Sequence, residues 1–219
     1  EGRRIYDNIR KFIVYVLSCN LAEILTILIA PLLGFAIPLL PIHILWINLV
    51  TDGLPGMALV AEPAEADSMR RPPRSTRENL FAGGMIRKIL MSGTLMTLAS
   101  IFIQYWSVGM GYDVQAQQTI VFTTLCFVQL GNALSVRSDH DFIFSKRMFS
   151  NKMMWVVIAG TVLLQLTIVY ISPLPIIFKT ASLNVQAMEM IVLVTVGCII
   201  CIETLKRLFR KKYGDPVHI

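Results

Sequence analysis

In a chain of 219 residues, apolar types make up 55% and charged types only 16%. That balance excludes an ordinary soluble domain and points to several membrane spans. The net charge of +6 comes without a basic groove interleaved with aromatics, so it does not mark a nucleic-acid binder.

Residues 1–11 read as a polar helix that runs straight into the first span, as the end of a cytoplasmic stalk would; a frayed basic flank is the alternative. There is no leading Met and no short apolar core before a cleavage site, so no signal peptide is expected. The chain therefore reads as the later part of something longer. Residues 12–61 hold only Glu23, His43 and Asp52 as acidic, basic or histidine residues, and their length suits two spans joined near Gly34 to Pro41. A basic loop follows at 62–88. Its stretch from Met69 to Ser75 is stiff in the polyproline sense and reads either as a dock for a cytoplasmic domain or as an ordinary connector. Residues 89–206 supply four further spans. Ile89 to Tyr112, Val114 to Val136 and Met153 to Phe178 carry no Asp, Glu, Lys or Arg, and Thr180 to Ile202 carries only Glu189. Residues 207–219 form a short tail.

All but Lys179 of the 20 Lys and Arg residues fall in the stalk, in the loop at 62–88, at 137–152 or after 202. The positive-inside rule places those segments in the cytoplasm. The expected fold is an all-α membrane protein, a six-helix bundle in a lipid bilayer with one unwound helix and both termini cytoplasmic. Ser172 to Gln186 is the one long outer loop and is expected to lie on the membrane surface. Small residues such as Ser92, Gly93, Ala99, Ser100 and Gly160 permit close helix packing. Cys19, Cys126, Cys198 and Cys201 all fall inside spans, and Cys198 and Cys201 read as packing residues rather than a redox pair.

The chemistry concentrates in Asn48-Leu49-Val50-Thr51-Asp52-Gly53-Leu54-Pro55. A carboxylate and a helix-breaking proline at membrane depth are both costly, so a span that carries both is built around a site. Asn48, Thr51 and Asp52 share one helical face. Pro55 opposes the carbonyl of residue 51, and Gly53 and Gly56 add backbone freedom. The spacing predicts unwinding just after Asp52, with carbonyl oxygens released toward the side-chain oxygens. In the first span Asn20 and Glu23 share a face. Together these residues form an all-oxygen donor set suited to a hard cation such as calcium, with no Cys/His cluster for zinc or copper. His43, near an outer helix end, reads as a solvated or capping residue. Glu189, Gln104, Gln129 and Gln165 read as interhelical or interfacial polar residues.

The octet from Asn48 to Pro55 resembles the sixth-span signature of P-type cation-transporting ATPases, above all the calcium pumps. Ser18-Cys19-Asn20-Leu21-Ala22-Glu23 resembles the ion-binding stretch of their fifth span, and the run from Glu1 to Ile9 resembles its lead-in. Asp67-Ser68-Met69-Arg70-Arg71-Pro72-Pro73-Arg74 is similar to their cytoplasmic loop between spans six and seven. Pro173 to Phe178 is similar to the last outer loop of the reticulum-type pumps. The resemblance runs along nearly the whole chain and implies the family's fifth to tenth spans. It implies that Asn20, Glu23, Thr51 and Asp52 serve one calcium site and Asn48 and Asp52 a second, with Asp52 bridging the two.

Gln129-Leu130-Gly131-Asn132-Ala133-Leu134 aligns where those pumps carry a Glu. A neutral amide there implies that one site is weakened or lost, while Glu23 leaves one or two calcium ions per ATP open. The resemblance also implies partners outside the chain: four earlier spans and actuator, phosphorylation and nucleotide-binding domains. Mg2+ and ATP would bind only there, so this chain alone is expected to be inactive. Two alternatives stay open, a pump for Na+, Mn2+ or H+ with K+, and a self-standing membrane channel or scaffold.

Overall fold

A computed structural model describes residues 2–63, 84–137 and 151–213, and its regular elements are all helical. The basic stretch at 69–75 and its resemblance to a pump loop lie outside the described residues, as do residues 214–219 of the tail. Helix α1 (Gly2–Leu32) runs without interruption from the polar start through the first span. At 31 residues it is about 46 Å long, more than the ~30 Å hydrocarbon core requires. It stops at Gly34, whose φ of 84° puts it in the left-handed region that ends many helices. There the Gly34 and Phe35 N–H groups donate to the Pro31 and Ala30 carbonyls, both at 3.0 Å.

The second span is composite: α2 (Pro41–Trp46), a π-helical turn over Ile47–Asp52, and α3 (Gly53–Val60). Then come α4 (Met85–Gly109), α5 (Val114–Val136), α6 (Lys152–Tyr170), the short α7 (Leu174–Phe178) and α8 (Val185–Tyr213). Among the described residues six segments are long and apolar enough to cross a membrane: α1, the composite α2–α3, α4, α5, α6 and α8. The chain is a multi-pass integral membrane protein.

Helix α5 forms the centre of the bundle. Its most apolar stretch is 83% buried, against 28–44% for the other five spans. It packs on α4 and α8, and α1 packs along α4. Small residues set these approaches, because without a hydrophobic drive between helices in lipid, close van der Waals contact holds them together. A Cβ at Gly131 would lie 2.2 Å from the Ile199 Cδ1 of α8, and one at Gly93 would lie 2.7 Å from the Leu21 Cδ2 of α1.

The seam between α1 and the composite span positions the site. Asn8, Phe12, Tyr15, Cys19 and Glu23 recur at steps of three or four residues, so they share one face of α1. Asn8 bonds the end of α3, Phe12 lies 2.8 Å from where a Cβ of Gly56 would sit, Tyr15 bonds Thr51 and Glu23 bonds Asn48. The two helices therefore run antiparallel with residue-by-residue contact over the whole seam.

At the opposite end of the seam from Asn8, His43 is fully buried rather than solvated, and it caps α2. Its ring stacks on Phe122 with centroids 4.4 Å apart. The Leu40 N–H donates to Nδ1 at 3.3 Å, so Nε2 carries the proton and donates to the Phe178 carbonyl at 2.8 Å. This bond ties α7 to the bundle, while Ile176 and Ile177 of α7 face outward.

Candidate cation site

Glu23 is the hub of the site. Its side chain is buried, and both oxygens accept amide hydrogens, Oε2 from Asn48 Nδ2 at 3.1 Å and Oε1 from Gln129 Nε2 at 2.9 Å. A carboxylate draws the N–H ends of neighbouring amides, so three helical segments converge on it. Asn48 Nδ2 also donates to the Ile44 carbonyl at 2.9 Å, and Gln129 Oε1 is buried without a hydrogen-bond partner among the described residues.

Asp52 differs. It is equally buried, and neither carboxylate oxygen has a hydrogen-bond partner among the described residues. Cys19 and Tyr15 flank it, and Glu23 is near enough for the two carboxylates to interact electrostatically. The Tyr15 hydroxyl, however, is directed to the Thr51 carbonyl, 2.8 Å away. An unpartnered carboxylate in a low-dielectric interior is among the most expensive groups a fold can hold.

The helix irregularity sits one turn earlier than the spacing predicts. Gly53, Pro55 and Gly56 lie within regular α3, and the widened turn is Ile47–Asp52. Proline explains part of this: Pro55 has no N–H for the Thr51 carbonyl, yet that oxygen is capped by Tyr15 instead of turning toward the site. A π turn adds one residue per turn and loosens the ladder. It places Asn48, Thr51 and Asp52 on a widened segment, with Thr51 Oγ1 donating to Cys126 Sγ of α5 at 3.5 Å. Asn20 Nδ2 turns back to its own helix, donating to the Val16 carbonyl at 3.0 Å. Asn48 is exposed on the flank of the composite span that this chain leaves uncovered.

Among the described residues no group of three or more His, Cys, Asp and Glu side chains assembles. The donors at hand are two carboxylates, amides, a hydroxyl and a loosened backbone, a set for a hard cation.

The family described as "Cation transporting ATPase, C-terminus" matches residues 36–208. The chain belongs to that family. A calcium-transporting ATPase of Bacillus subtilis (strain 168) is 42% identical over 186 residues, which cover 84% of this chain and 21% of that protein. Calcium-transporting ATPase type 2C member 1 of Pongo abelii is 32% identical over 219 residues, covering 100% of this chain and 24% of the relative. Calcium-transporting ATPase 1 of Bacillus cereus (strain ATCC 10987 / NRS 248) is 36% identical over 222 residues, covering 94% and 25%. The chain thus spans about a quarter of the length of the curated relatives it matches.

In this cation-ATPase region the sequence pattern singles out Asn20, Glu23, Asn48, Thr51 and Asp52, with Gln129 as a possible addition, but not Tyr15 or Cys19 beside them. Tyr15 and Cys19 precede Glu23 at intervals of four, so the helical repeat carried that signal. Asn132, one turn beyond Gln129, is fully buried with both amide atoms unpartnered among the described residues. Gln104 of α4 donates to the Ala36 carbonyl of the loop between α1 and α2 at 2.8 Å, and Gln165 of α6 links Trp46 at 3.0 Å to Thr123 at 3.3 Å as interhelical bonds. Glu189 is exposed. Another buried carboxylate, Glu203 of α8, bonds Ser135 of α5 and pairs with Lys206 at 2.6 Å. Nothing in the local pattern distinguishes Glu203 from the charged flank that follows it.

Proposed function

We propose that this chain is the transport region of an ATP-driven calcium pump and that Asp52 is the principal ligand of the transported ion. The observation that carries this reading is the pair of buried Asp52 oxygens without a partner, on a widened helical turn beside a second carboxylate. A divalent cation would offset the cost of both charges. The names of the relatives, all calcium-transporting ATPases, favour calcium over Na+, Mn2+ or H+ with K+.

Calcium favours six to eight oxygens in flexible geometry. Asp52, Asn48, Glu23 and the carbonyls of the π turn are the donors of this reading, with Thr51 and Asn20 within one helical turn of them. For Asn48 to offer its oxygen, the amide must rotate and release Glu23 and the Ile44 carbonyl. The present bonds therefore hold the site in a form that a cation must rearrange. Gln129 already satisfies one oxygen of Glu23, so the arrangement favours one calcium ion per cycle.

The exposed flank at Asn48 is where four earlier spans of the whole pump would close the site. ATP and Mg2+ would act in actuator, phosphorylation and nucleotide domains outside this chain, which alone would hydrolyse nothing. Both termini of the chain would face the cytoplasm, as the basic segments direct. Phosphorylation there would shift the helices and open the site outward, with protons returning on Glu23 or Asp52. In the complete pump, Asp52→Asn is expected to abolish calcium-activated phosphorylation by ATP. Normal calcium-activated phosphoenzyme in that variant contradicts the assignment, and activation by sodium in place of calcium replaces the ion.

A further inference from the structure

The end of α3 holds a second polar cluster, and it is fully partnered. Glu62 Oε1 accepts from Arg137 Nη2 at 2.7 Å and Nε at 3.0 Å, and Oε2 accepts from Asn151 Nδ2 at 2.5 Å. Asn151 also reaches the Ala58 carbonyl at 3.3 Å and caps α6 by accepting the Met154 N–H at 3.0 Å. From α1, Asn8 Nδ2 donates to the Val60 and Glu62 carbonyls at 3.0 and 2.8 Å. All four residues are at most 7% exposed. Four helices thus meet on one carboxylate: α1, the end of α3, the end of α5 and the start of α6.

A buried ion pair adds little net stability, since desolvation offsets most of its attraction, and well-packed apolar replacements do as well or better. What this one contributes is position. Helix α3 has only eight residues, and the π turn before it weakens its mechanical continuity with α2, so its neighbours must define its register. Glu62 lies two residues past the end of α3, and the eight helical residues from Gly53 to Val60 put that end about 12 Å along the axis from Asp52. Between them the Phe12–Gly56 contact and the bond from Tyr15 to the Thr51 carbonyl tie the segment to α1, while α3 also packs on α5 and α6. A slide of α3 along α1 would carry Asn48 and Asp52 past Glu23.

We propose that Asn8, Glu62, Arg137 and Asn151 form a clamp that sets the register of α3 against α1, and thereby aligns Asn48 and Asp52 with Glu23 for cation binding. They are positioning residues and touch no cation. The proposal rests on the calcium-pump reading above.

The test uses the full-length protein and compares Glu62→Gln, Arg137→Met and the double variant in calcium titrations of phosphoenzyme formed from ATP. Each single change leaves a buried group without its partner. The double change keeps volume and removes the ion pair, so it is expected to recover the wild-type amount of phosphoenzyme at saturating calcium. Its half-activating calcium concentration is nevertheless expected to rise about tenfold, within the range seen for coupling residues remote from a ligand. Asn8→Ala, which leaves no charge behind, is expected to shift that concentration in the same direction and serves if the double variant fails to fold. Wild-type calcium dependence in either variant overturns the clamp. A wild-type protein that forms no calcium-activated phosphoenzyme overturns the calcium reading instead, and the same titration with the cation that does activate it then judges the clamp.

Discussion

Asp52 lies within the composite helix and Glu62 just past its end, ten residues on, and both are buried at the level of core residues. Around Glu62 both oxygens are bonded, by a bidentate guanidinium and an amide, and the adjoining carbonyls are bonded too. Around Asp52 neither oxygen has a hydrogen-bond partner of normal geometry among the described residues, and only the Cys19 thiol and Tyr15 hydroxyl lie close by. A fold that could bury a carboxylate with full compensation at one end of the helix leaves the other without it. The contrast separates a carboxylate that holds structure from one kept available for a ligand, and exposure alone would not have told them apart.

Thermal unfolding of the purified full-length protein, in detergent and without calcium, can break or sharpen this contrast. The largest effect is expected for Glu62→Ala, which removes the carboxylate from the buried Arg137 guanidinium and costs about 3–5 kcal/mol. A wild-type melting profile would mean that the cluster is not a structural anchor. Tyr15→Phe comes next. It removes the hydroxyl that donates to the Thr51 carbonyl, whose ordinary helical partner Pro55 cannot supply, and is expected to cost about 1–3 kcal/mol. No change would mean that water or another group takes over that oxygen. Gln129→Leu leaves Glu23 with Asn48 alone, an intermediate between the two carboxylates, and is expected to cost about 1 kcal/mol. Asp52→Asn should show the smallest effect. It removes an uncompensated buried charge, so the unfolding temperature is expected to stay level or rise. A clear loss of stability would show that Asp52 has a structural partner after all.

Much of this arrangement was legible in the chain. Hydropathy and the placement of basic residues yield the spans, because each helix must satisfy its own backbone in lipid. Helical spacing brings Asn48 and Asp52 onto one segment, and Asp52 stands out because a carboxylate at membrane depth demands a reason. The site's closure was less legible. The π turn ends at Asp52 instead of the helix unwinding just after it, and the carbonyl freed by Pro55 finds a hydroxyl on another helix, 36 residues away in sequence. Asn20 could bond a neighbouring helix or its own, and local pattern does not choose. The Glu62–Arg137 pair joins residues 75 apart, each of which reads as an ordinary charge flanking a span. Periodicity reports which face a residue occupies, but not the partner that the opposite helix supplies.

The most direct test of the central claim is equilibrium calcium binding to the full-length protein, with wild type and Asp52→Asn measured side by side. The account predicts one bound calcium ion in the wild type and none in the variant, even though the variant unfolds at the wild-type temperature or above. Calcium bound by the variant with wild-type affinity would contradict it.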